Sequence, residues 1–60
     1  MEIIIHLKDN VQLITKVKAD NFDNFKREYF QGIAAGKKFV ATADSILRYD
    51  DILMVTQHSK

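Results

Sequence analysis

Apolar and polar residues alternate from Met1 to Ala19, broken only at Lys8-Asp9-Asn10. Met1, Ile3, Ile5 and Leu7 hold one phase, and Glu2, Ile4, His6 and Lys8 the other. Past the break, Val11, Leu13, Thr15, Val17 and Ala19 alternate with Gln12, Ile14, Lys16 and Lys18. A period of two over this length predicts two β-strands. Loop length then decides how they meet. A two-residue Asp9-Asn10 turn pairs Ile5 with Ile14 and mixes the phases. A three-residue Lys8-Asp9-Asn10 loop pairs Leu7 with Val11, Ile5 with Leu13, Ile3 with Thr15 and Met1 with Val17, which keeps one face apolar. Such loops commonly use a type I turn closed by a left-handed residue, and Asn10 suits that place.

This register sets Glu2 opposite Lys16, Ile4 opposite Ile14 and His6 opposite Gln12 on the second face. A free-standing sheet needs that face polar. Scattered exposed isoleucines need no explanation, but a paired and charge-rimmed apolar spot does.

Asp20-Asn21-Phe22-Asp23 reads as a helix start, with Asp20 or Asn21 capping free amides and acid in the first turn. At 100° per residue Phe22, Phe25, Tyr29, Phe30 and Ile33 form an apolar stripe about 140° wide. Gly32 is the expected stop, with Ile33-Ala34-Ala35 able to carry the helix on to Gly36. Strands are then expected at Lys38–Ala43, Ile46–Tyr49 and Ile52–Thr56, separated by turns at Asp44-Ser45 and Asp50-Asp51. The near-continuous run Ile52-Leu53-Met54-Val55-Thr56 predicts a strand covered on both faces. The order ββ-α-ββ gives an α+β fold: an antiparallel sheet of four to five strands with one helix on one face. A small SH3-like or Sm-like barrel is the runner-up.

Length sharpens the question of that second apolar face. Sixty residues make one domain, 1–60, with 57–60 read as a tail. A chain this short buries only about 60% of its unfolded surface. Disulfides, a metal or a partner chain usually make up the difference. Cysteine is absent and the two histidines lie far apart, so neither a disulfide nor a four-ligand zinc site is expected. A partner chain remains. No stretch approaches the roughly 20 apolar residues of a membrane span, and Met1–Leu7 lacks the pattern of a signal peptide. A cytoplasmic setting and no membrane contact are therefore expected. Nine basic and eight acidic residues give a net charge of +1, too little for a general electrostatic footprint.

Candidate chemistry changes the picture little. Asp50-Asp51 is a dense carboxylate pair, but neighbours on an extended chain diverge and no third ligand is spaced to join them. His6 has no Ser, Cys or carboxylate placed to complete a nucleophilic set; His58 falls in the tail. Gly32-x-x-x-Gly36-Lys37-Lys38 is one residue short of a phosphate loop, lacks the Ser/Thr after lysine, and follows a helix rather than a strand. A hollow of roughly 300 Å³, the usual minimum for a ligand site, is not expected in so short a chain. No catalysis and no cofactor are expected. The expected role is an accessory interaction protein acting as a homo-oligomer, a dimer being favoured, through Ile4, His6, Ile14, Leu53 and Val55 and the exposed side of Leu53-Met54-Val55; an unknown protein partner is also allowed. The alternative is nucleic-acid binding through Lys16, Lys18, Lys37 and Lys38, if folding brings them together.

Overall fold

The first hairpin forms in the three-residue register. In the computed structural model, which describes residues 1–58, β1 (Glu2–Leu7) and β2 (Gln12–Lys16) pair antiparallel with Ile3 opposite Thr15, Ile4 opposite Ile14 and Ile5 opposite Leu13. Backbone bonds from Leu7 N to Val11 O (2.8 Å) and Val17 N to Met1 O (3.0 Å) extend the ladder at both ends. The Lys8–Asn10 connection is a tight 3₁₀ turn. It differs in one respect from expectation: Asp9 is left-handed as well as Asn10, with φ of 67° and 62°. Both residue types tolerate that region better than most, through local side-chain hydrogen bonding.

Helix α1 spans Phe22–Ala34. Asn21 is the cap, its Oδ1 accepting from Asn24 N at 2.8 Å. Gly32 does not end the helix. It lies buried inside it, where an added Cβ would overlap the Tyr49 hydroxyl and sit 3.4 Å from Tyr49 Cζ. Its lack of a side chain serves close approach. The stop is Gly36, at φ +81°, with Gly36 N donating to Ile33 O and Lys37 N to Gly32 O, each at 3.0 Å. This double bond pattern is a Schellman closure. Nothing lies within 4 Å of a Cβ built at Gly36, so Gly36→Ala carries only the left-handed backbone cost. The substitution is expected to destabilise by about 1 kcal/mol, read as a lowered urea midpoint with an unchanged slope.

The remaining strands are β3 (Phe39–Ala41), β4 (Ile46–Arg48) and β5 (Ile52–Gln57). They do not extend one sheet. The described strands form a three-stranded sheet ordered β2-β1-β5 and a separate β3-β4 hairpin. The fold is a small α+β arrangement of one helix and antiparallel strands, and the strand count of the single-sheet expectation survives although the sheet is divided. Thr15 explains how the parts join. Only 4% exposed, it lies on the inner face of β2, where its hydroxyl donates to Asp44 Oδ1 and lies 3.1 Å from Thr42 Oγ1. Ala43 N donates to Lys16 O at 2.9 Å beside it. A buried hydroxyl is costly unless partnered, so Thr15 holds the second hairpin in place. Asp50 and Asp51 fall in a 3₁₀ turn, Tyr49–Asp51, between β4 and β5.

The core lies between the three-stranded sheet and the helix. Ile3, Ile5 and Phe25 are its buried centre, with Leu13, Val17, Phe22, Tyr29, Leu47, Ile52 and Val55 around it. Phe30 and Ile33, expected in the buried stripe, are 63% and 46% exposed. The contact face is narrower than the composition suggests. Phe22, Phe25, Tyr29 and Gly32 fall within about 80°, and Phe30 lies about 120° from its centre. Gln57 is no tail residue either: it pairs with Ile3, and His58 N donates to Glu2 O at 3.1 Å. Residues 59 and 60 of the expected tail lie outside the described residues.

Candidate functional site

Strand pleating places alternate residues on opposite faces, so the burial of Ile3 and Ile5 turns Glu2, Ile4 and His6 away from the helix. Three rows cross this outer face. Lys16, Glu2 and His58 form the first, Ile14, Ile4 and Thr56 the second, and Gln12, His6 and Met54 the third. Ile14 is 58% exposed and Met54 54%. The middle of the face is apolar and one end is charged. His6 Nε2 is 3.1 Å from Thr56 Oγ1, which orients the ring along the sheet. His58 Nδ1 is buried without a hydrogen-bond partner, 3.7 Å from Glu2 Oε1, an ion-pair distance when the ring is protonated.

The strand β5 departs from expectation. It is an edge strand, and with Leu53 and Met54 exposed its long apolar run is not covered on both faces. A register shift opposite His6 and Leu7 sets Leu7 against Ile52 and His6 against Met54, leaving Leu53 as the extra, bulged residue. Strict alternation puts Leu53 and Val55 on one face; the bulge breaks that parity. Val55 faces inward, opposite Ile5 and against the core, and leaves the expected interface. Met54 stands on the outer face in its place, and Leu53 is 66% exposed. Ile4, His6 and Ile14 are where the sequence places them. Thr56 and His58 join the face unforeseen, because only the pairing of β1 with β5, fifty residues apart, brings them there.

The four lysines do not form one patch. Lys16 and Lys18 border a cleft of about 590 Å³ between β2, the helix and β3, walled by Val17, Phe25 and Val40. Lys37 and Lys38 border a different hollow of about 700 Å³ with Phe39 and Arg48. Tyr29 and Tyr49 line both and separate them, their rings edge to face at 4.9 Å. Burial, and then the neighbouring Tyr49, push the Tyr29 hydroxyl above its usual pKa. Both hollows exceed the size expected of so short a chain. They arise because β3-β4 stands off as a separate hairpin beside the helix. Arg48 joins Lys37 and Lys38 through the pairing of Phe39 with Arg48, which no local spacing announces.

Among the described residues no group of three or more His, Asp or Glu side chains could hold a metal ion, and no helix is long and apolar enough to cross a membrane. No protein family, curated protein or solved structure matches the chain.

Proposed function

We propose that this chain is a non-catalytic interaction protein of the cytoplasm that works as a homo-oligomer, with the outer face of its three-stranded sheet as the contact. One observation carries the reading. The face opposite the helix presents Ile4 and Ile14 in its middle row, Met54 in the row beside them, and Lys16, Glu2 and His58 at one end, an apolar patch with a polar rim as interfaces have. A short chain without cysteine also has few other means of completing its burial.

Sedimentation at high micromolar concentration tests it. The protein is expected to run heavier than a monomer, and Ile14→Asp to lower the sedimenting mass at least twofold while leaving circular dichroism unchanged. A wild-type monomer under these conditions removes the reading. Nucleic-acid binding through Lys16, Lys18, Lys37 and Lys38 is the weaker alternative, since the tyrosine pair divides those lysines into two sets. Its signature is oligonucleotide affinity that falls steeply with added salt.

A further inference from the structure

The outer face of one copy is small for a stable contact. Three strands about 4.8 Å apart and five residue pairs at about 3.4 Å each make a patch of roughly 240 Å² in plan. A standard interface buries about 800 Å² per partner. The free edge of β5 offers a way to enlarge the face.

In an antiparallel ladder, residues alternate between bonding inward to the neighbour and pointing outward. His58 N donates to Glu2 O, while Leu7 N donates to Val11 O and Met1 O accepts from Val17 N on the β2 side. Even-numbered residues of β1 therefore bond to β5, and odd-numbered ones to β2. On β5 this turns Met54 and Thr56 toward β1 and leaves the N–H and C=O groups of Val55 and Gln57 pointing away from the sheet. Edges of this kind are normally blunted by charge, proline or a bulge. Ile52–Gln57 contains no charged residue, proline or glycine, and its bulge lies at the start, opposite His6 and Leu7. The edge of β2, by contrast, carries Lys16 and is met by Ala43 N.

We propose that two copies pair antiparallel through β5, joining their sheets into one of six strands. The inference rests on self-association through this sheet and specifies its geometry. A two-fold axis at Val55 lets the two Val55 residues exchange both backbone bonds, with Met54 opposite Thr56 and Leu53 opposite Gln57 of the second copy. The exposed Leu53 and Met54 are then partly covered. The two outer faces become one continuous surface of twice the area, and stacking of two such dimers through Ile4 and Ile14 closes a tetramer with two kinds of two-fold contact.

Amide hydrogen exchange at two concentrations tests the pairing without any substitution. At high micromolar protein the Val55 and Gln57 amides are expected to exchange at least tenfold more slowly than at low micromolar, while Met54 and Thr56, bonded to β1, stay protected at both. Chemical synthesis of the chain with N-methyl-valine at position 55 keeps the core side chain and removes only the outward N–H. That variant is expected to fold and to sediment at half the wild-type mass, and Gln57→Pro to weaken association in the same direction. If the wild type associates but Val55 and Gln57 exchange equally fast at both concentrations, edge pairing is overturned while self-association stands. A wild-type protein that stays monomeric overturns both.

Discussion

Ile5→Ala is expected to bring the folded state close to balance with the unfolded one at 25 °C, leaving a large fraction of the protein unfolded. Ile5 is 1% exposed and sits mid-strand in β1, between Leu13 and Val55 in the cluster with Phe25. Removing three carbons from such a site costs the lost transfer energy and leaves a cavity, about 2–5 kcal/mol together. A single core of this size rarely supplies more than about 3–5 kcal/mol in total. The loss and the reserve are equal in scale, which is why this substitution stands apart. The control is Ile14→Ala, the same chemical change on the same hairpin but on a side chain 58% exposed, expected to shift stability by less than about 1 kcal/mol. Urea denaturation at low micromolar protein, where association adds nothing, measures both. Equal midpoint shifts for the two variants contradict the assignment of the hairpin's faces.

Phe25→Ala is the second severe loss, about 3–5 kcal/mol. Phe25 is the helix's buried apolar side chain against Ile3 and Ile5, and its ring also touches Phe22 and Tyr29, with centroids 5.9 and 5.8 Å away. A helix of 13 residues is marginal alone in water, so its order depends on this docking. Both helicity and tertiary structure are expected to fall in one transition. Phe30→Ala, five positions along the same helix, removes a side chain 63% exposed and should be close to neutral. A helical signal that survives Phe25→Ala while the tertiary signal is lost would contradict the dependence on docking.

The parts of this fold that could be read from the chain are those set by local parity. The hairpin register follows from a period of two and a loop length, so Ile4 opposite Ile14 is legible in the sequence itself. The Asn21 cap and the helix body follow from similarly short-range rules. What escaped depends on contacts distant in sequence. Val55 and Met54 exchange faces because a bulge opposite His6 and Leu7 shifts the parity, and a bulge leaves no mark on an unbroken apolar run. Gly32 reads as a terminator until Tyr49 is seen pressed against it. The docking of the second hairpin turns on Thr15 reaching Thr42 and Asp44, more than 25 positions away, where periodicity is silent. Phe30 shows a related limit: an apolar stripe states what can be buried, and the width of the opposing sheet decides what is.

The strand order β2-β1-β5 also has a consequence in time. Of the three strands in this sheet, β1 is made first and becomes the central one. Its second neighbour, β5, is the last of the three to be made, and Ile3 meets Gln57 across more than fifty positions. A nascent chain lacking β5 holds Ile3 and Ile5 beside an open sheet edge and has no complete core to form. Non-local pairing of this kind slows folding and keeps aggregation-prone surface open during synthesis. The three-stranded sheet is therefore complete only once β5 has been made and closes on β1.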